Sequence, residues 1–271
     1  MPSYAVVGAS RGIGLEFVRQ LASRPDTTVY AVVRNAKSPY VLPIAEQHKN
    51  VHIIEGDIVD HRSISIRLPK YAACRAAEEI SAISRGTLDV LVHNAARTNG
   101  DKLRRGYNDY KDLDELDEDF IDAYKVNTLG IIHSVSAFLP LLKRGATKKI
   151  VVIGTAGASV KLALVAGSAD VAAYSVTKLA GLMVATKYAV GLKSEGFTVV
   201  TIHPGVVDTS KTATEPMNID MHAVVAKMKE RGFNAEVLTP AQSVQAQLRI
   251  IDGLTPEKNG AFLSYNGSEL A

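Results

Sequence analysis

The sequence predicts an α/β protein built on a doubly wound, seven-stranded parallel sheet with helices on both faces. Three observations carry this. Short β-branched runs alternate with longer helical stretches along all 271 residues. The runs are apolar at consecutive positions, as strands buried on both faces require. No repeat, low-complexity tract or interdomain linker breaks the rhythm, so residues 1–271 read as one domain. Right-handed crossovers make the doubly wound order the economical one.

The elements follow in order. A strand from Tyr4 to Val7 opens into a glycine-rich turn and a helix from Gly12 to Ser23. Strands from Thr28 to Val33 and Val51 to Ile54 come next, then a helix from Tyr71 to Ser84 and a strand from Leu88 to Val92. Arg97 to Asp119 is rich in charge and poor in strong hydrophobes, which reads as a solvated loop. A helix from Phe120 to Leu142, a strand from Lys149 to Ile153, a helix from Val171 to Lys193 and a strand from Thr198 to Ile202 continue the alternation. The long connection from Val206 to Val237 follows a strand's carboxyl end, where doubly wound sheets place ligands, and is read as a substrate loop. A helix from Pro240 to Ile251 and a strand from Ala261 to Ser264 close the chain.

Composition narrows the function. Hydrophobic residues at 46% and charged residues at 22% give a soluble globular profile. A net charge of +3 is too small to point to nucleic acid or an anionic membrane. The longest stretch without Asp, Glu, Lys or Arg, Val126 to Leu142, holds polar residues and falls short of a bilayer span, so it reads as a buried helix and no membrane partner is expected. The single cysteine, Cys74, excludes an intrachain disulfide and reads as a packing residue. With no targeting segment ahead of Tyr4, the expected location is cytoplasmic. No His/Cys cluster has metal-ligand spacing, so no metal is expected.

The turn after the first strand, Gly8-Ala9-Ser10-Arg11-Gly12-Ile13-Gly14, lets backbone approach a pyrophosphate at the positive end of a helix. Further along, Tyr174-Ser175-Val176-Thr177-Lys178 puts a phenol and an ammonium on one helical face. A tyrosine titrates near ~10, and a neighbouring ammonium is expected to draw it towards neutrality.

The spacing G-x-x-x-G-x-G, with the motifs after it, resembles the compact branch of the short-chain dehydrogenase/reductase family, with Val7 where that family usually has threonine. The resemblance covers nearly the whole chain. It implies a Rossmann fold and a nicotinamide cofactor held by Gly8, Ser10, Arg11, Gly12, Ile13 and Gly14. Asp57 and Ile58 match the family's adenine-contacting position. Asn94-Ala95-Ala96 matches N-N-A-G, with His93 for the first asparagine and Ala96 for the glycine. Pro204, Gly205, Val207 and Thr209 match the segment that holds the nicotinamide. His203 reads as structural.

An NAD site presents an acidic residue after the second strand. Here Arg34 and Asn35 stand there, with Arg11 in the turn; guanidinium groups suit a 2′-phosphate and favour NADP(H), hence reduction. By the same resemblance Tyr174 exchanges the proton, Lys178 lowers its pKa, Thr155 takes the place of the usual serine, and Asn127 anchors a water. Ser159 and Ser168 are alternative hydroxyls, because the gap from Thr155 to Tyr174 is longer than the family norm.

The implied substrate is a small carbonyl compound, in the manner of fungal ketoreductases and carbonyl reductases of secondary metabolism. The resemblance implies a homodimer or homotetramer through the helices bearing Asn127 and Tyr174, although some relatives are monomers. A cofactor-binding regulator or non-redox catalyst is the competing reading, supported by the departures from the family pattern.

Overall fold

The computed structural model describes residues 1–64, 75–98, 101–167, 169–214, 220–233 and 235–270. Its strands are β1 (Ser3–Val7), β2 (Thr28–Val33), β3 (Val51–Glu55), β4 (Val90–His93), β5 (Lys149–Ile153), β6 (Thr198–His203), the short β7 (Val206–Val207) and β8 (Val237–Leu238), and β9 (Phe262–Ser264). Seven of them form one sheet in the order β3-β2-β1-β4-β5-β6-β9, every pairing parallel. The strand order reverses between β1 and β4, which opens the crevice where such sheets bind ligands.

The helices are α1 (Gly12–Ala22), α2 (Leu42–Gln47), α3 (His61–Ile64), α4 (Ala76–Ser84), α5 (Leu113–Tyr124), α6 (Gly130–Leu142), α7 (Val160–Ala166), α8 (Ala172–Gly191), α9 (Met221–Glu230) and α10 (Pro240–Asp252). Strand side chains alternate between two cores. Tyr4 and Val6 pack with Phe17, Leu21, Val244 and Leu248 on one face. Ala5 and Val7 pack with Ile80, Val135, Phe138 and Ala185 on the other. Full burial of each large apolar side chain contributes roughly 1.5–3 kcal/mol, which explains why the strands are apolar on both faces. At the amino edge of the sheet the buried Asp89 carboxylate accepts from the Ser3 amide and hydroxyl (both 2.9 Å) and the Ala146 amide (2.8 Å). A buried charge needs such partners.

The structure differs from expectation in four places. The helix expected from Phe120 begins at Leu113, because Asp112 caps it by accepting from the Glu115 amide at 2.8 Å. Asp119 and its neighbours are therefore helical and partly buried, so the charged segment is not all solvated loop. That helix is also not continuous: a π turn, Lys125–Leu129, separates α5 from α6. Within the run Leu113–Leu142 one 18-residue window is apolar enough, by length and composition alone, to cross a membrane, and 56% of that window is buried inside the protein, as in a core helix. The connection 206–237 is not plain loop, since β7 pairs with β8 and α9 lies between them. The long gap before Tyr174 holds α7. Cys74, Ser168 and the start of the helix expected from Tyr71 lie outside the described residues.

Candidate active site

β1 delivers the glycine turn to the crevice. Gly8 has φ +82°, and a Cβ there would lie 2.7 Å from the Ala95 backbone. A Cβ on Gly14 would collide with the Gly8 carbonyl, so α1 and β1 approach at a distance only glycine allows. Asn94 locks the approach: its side-chain amide donates to the Gly8 carbonyl (3.0 Å) and its backbone amide to the Val7 carbonyl (3.0 Å). The N-cap residue Arg11 makes no side-chain cap to α1, and the first turn holds no acidic residue. It therefore presents amides and a positive dipole end, the conditions for holding a phosphate.

The loop after β7 covers this turn. Thr209 Cγ2 lies 3.2 Å from where a Gly12 Cβ would be. The Gly12 amide donates to the Thr212 hydroxyl at 2.9 Å, and the Arg11 guanidinium donates to the Thr214 hydroxyl. Arg34 and Asn35 are exposed at the end of β2. Ser38 Oγ donates to the Ser10 carbonyl at 3.3 Å, which keeps the loop after β2 against the glycine turn. Among the described residues no ion pair joins Arg11 or Arg34 to a carboxylate.

Further along the same edge, Asp57 Oδ1 accepts from the Val59 amide (2.9 Å) in a tight turn, and Ile58 is buried. Gly205 has φ +87° and lies where a Cβ would touch Leu238 and the Tyr265 ring, so the Pro204-Gly205 turn is closely packed. Ser243 Oγ donates to the Pro204 carbonyl at 2.6 Å. Val207 is buried in the β7–β8 pair.

The Tyr174 hydroxyl meets the Thr155 hydroxyl, the contact expected of the residue just after β5. Ser159 instead caps α7, accepting from the Leu162 amide at 3.3 Å. Lys178 is 5% exposed; its ammonium donates to the Ile153 carbonyl at 2.8 Å and lies 5.9 Å from the Tyr174 ring centre. Phenol, hydroxyl and ammonium thus converge at the end of β5.

Their electrostatics correct the simple expectation. Burial pushes Tyr174 up to about 12, the Thr155 contact opposing it, and burial pulls Lys178 down to about 8. Desolvation disfavours both charges, and for the phenol only the Thr155 bond opposes it. At neutral pH the tyrosine therefore holds its proton, ready to donate it.

Asn127 lies in the π turn next to this cluster. Its amide is fully buried with both ends occupied by the chain: Oδ1 accepts from the Arg97 amide (2.8 Å) and Nδ2 donates to Thr177 Oγ1 (3.0 Å). It acts as a brace between the loop after β4 and α8.

His93 is 1% exposed, its Nδ1 3.0 Å from Ser134 Oγ. Burial first, and then the Lys178 charge, pull it down to about 3, with the Ala95 carbonyl opposing. His203 is pulled by burial to about 4. Both read as neutral structural rings. Sequence reasoning missed Thr177, Arg97 and Asp119. Thr177 could have been noticed one residue before Lys178, but nothing marks Asp119 within its acidic run.

A short chain dehydrogenase family model matches residues 3–219. The chain is 32% identical over 271 residues to the short-chain dehydrogenase/reductase atnB of Arthrinium sp, covering 98% of each chain. It is also 32% identical over 275 residues to the short-chain dehydrogenase/reductase AacuF of Aspergillus aculeatus, covering 99% of each. In fold it is similar to an NADPH-bound carbonyl reductase from chicken fatty liver, with TM-score 0.79, 24% identity and coverage of 100% of this chain and 94% of that one. Carbonyl reductase Sniffer of D. melanogaster gives TM-score 0.79 at 23% identity, covering 100% and 99%.

Proposed function

The chain belongs to the short-chain dehydrogenase/reductase family of oxidoreductases, and from that premise we propose that it reduces a small-molecule ketone to a secondary alcohol with NADPH. The observation that carries this reading is the meeting of Tyr174 and Thr155 beside the Lys178 ammonium, at the carboxyl edge of the sheet that also carries the glycine turn.

The residues present fit a dinucleotide: a glycine turn packed so closely against the strand ends that Gly8 and Gly14 leave no room for a Cβ, and the amino end of α1, whose first turn holds no acidic residue, above it. Gly8, Gly12, Ile13 and Gly14 would hold the pyrophosphate, Asp57 and Ile58 the adenosine end, Arg11 and Arg34 the 2′-phosphate, and Thr209 with Pro204-Gly205 the nicotinamide end. When bound, the cofactor supplies the hydride. The chain's own residues manage the oxygen. Thr155 orients the carbonyl oxygen, and Tyr174, protonated at neutral pH, gives it a proton as negative charge develops there. The Lys178 ammonium stabilises the phenolate that remains. The chicken protein's bound NADPH and the two carbonyl reductase neighbours support the choice of cofactor and reaction. The fungal relatives, both short-chain dehydrogenase/reductases by name, support an oxidoreductase reading.

The test is consumption of NADPH against a panel of ketones, with NADH in parallel. Tyr174→Phe is expected to lose roughly 10²–10⁴-fold in kcat while its cofactor Kd stays within a few-fold. Binding of NADPH without turnover of any ketone would favour the non-redox reading, and undiminished turnover in the variant would remove the tyrosine from its role.

A further inference from the structure

Asp119 is a buried carboxylate on the face of α5 away from solvent, and the reaction as described makes no use of it. Its Oδ1 forms an ion pair with Arg97 Nη2 at 2.6 Å that falls outside hydrogen-bond geometry, with the Asp119 side chain wholly buried. Its Oδ2 accepts from the Tyr110 hydroxyl at 2.7 Å. Burial, and then this bond, push Tyr110 up to about 12, so the phenol stays a donor.

Arg97 is held at both ends. Its guanidinium meets Asp119, while its backbone amide donates to Asn127 Oδ1 in the π turn. Asn127 Nδ2 continues the chain to Thr177 Oγ1, which donates to the Ala173 carbonyl at 2.6 Å. Thr128 Oγ1 adds a bond to the Thr177 carbonyl at 2.9 Å. Ala173 and Thr177 flank Tyr174 and precede Lys178. The segment after Arg97 also reaches the start of α8, where the Ala172 amide donates to the Arg105 carbonyl at 3.0 Å. That helix end has no side-chain cap and enters through Val171 in the left-handed region, φ +55°. It depends on this loop for its first hydrogen bonds.

We propose that Asp119 is a positioning residue: through Arg97 and Asn127 it fixes the first turns of α8, and so the alignment of Tyr174 and Lys178. The proposal deepens the oxidoreductase reading and rests on it for its kinetic consequence. A buried ion pair contributes little net stability against an apolar replacement, but removing one charge leaves the other unpaired and lets the segment it anchors relax. Small misplacements of reacting groups cost rate out of proportion to their cost in stability.

The experiment uses the full chain carrying Asp119→Asn, which keeps the shape and removes the charge, with Arg97→Met and Arg97→Lys as a second pair. Amide hydrogen exchange at Arg97 and Ala172 is read first, without substrate. Exchange is expected to quicken in Asp119→Asn and Arg97→Met and to stay near wild type in Arg97→Lys. With NADPH and a reducible ketone, kcat per cofactor-binding site is expected to fall about 10-fold in the same two variants. KM and cofactor Kd are expected to stay within about twofold, and Arg97→Lys to recover most of the rate. Wild-type exchange at both amides in Asp119→Asn and Arg97→Met overturns the proposal, whether or not the chain proves to be a reductase. So does quickened exchange with unchanged kcat. If Asp119→Asn does not fold, the Arg97 pair decides on the same readouts.

Discussion

An ammonium with 5% exposure and, among the described residues, one carbonyl partner is unfavourable to fold around, and Lys178 is such a group. Its folded pKa of about 8 lies below its ordinary 10.5. The unfolded chain therefore holds that proton more tightly, so the penalty is full below pH 8 and fades as pH rises towards 10.5. Lys178→Met is expected to be more stable than wild type at pH 7, by up to ~3 kcal/mol less the lost hydrogen bond, while losing turnover. The gap should close as unfolding is repeated in urea up to pH 10.5; a gap independent of pH would contradict the assignment. At this scale the sequence was legible where spacing alone decides proximity, as for Tyr174 and Lys178. It was not legible where burial decides charge. The direction of the Tyr174 shift and the bracing use of Asn127 depend on what surrounds each group, and no spacing rule reports that.

Secondary structure shows the same division between strong local signals and tertiary ones. Continuous β-branched runs placed the seven sheet strands, most ends falling within a residue. The exception, Leu88, is buried before pairing begins, its amide donating to the Leu141 carbonyl instead of a strand neighbour. α2 and α7 are too short to show a period, and α5 begins in charged sequence where one aspartate cap outweighs composition. The β1–α1 unit depends on the absence of a side chain. Gly8→Ala would force a Cβ against the Ala95 backbone at a left-handed φ. That is expected to destabilise by at least ~2 kcal/mol and to weaken cofactor binding, read by urea unfolding and by cofactor titration. A variant within about 0.5 kcal/mol of wild type would mean that the turn can relax away from β4.

For the molecule as a whole, acid is the exposed flank. His93 and His203 are held near 3 and 4 by burial, below their ordinary 6.5. As pH falls below 6.5 the unfolded chain takes up protons that the folded chain refuses, so stability should decline steadily towards pH 4. His93→Asn is expected to reduce the slope of unfolding free energy against pH by about one proton over that range. An unchanged slope would show that the ring is charged or accessible. The parallel sheet has a broader consequence. Because every paired strand points the same way, one rim carries all the turns named above as cofactor and reaction residues, and the opposite rim carries ties such as Asp89 to Ser3 and Ala146. Damage to the two rims should be separable by assay: lesions at the Asp89 end register as lost yield of folded protein alone, and lesions across the molecule register as lost cofactor binding or turnover per folded molecule.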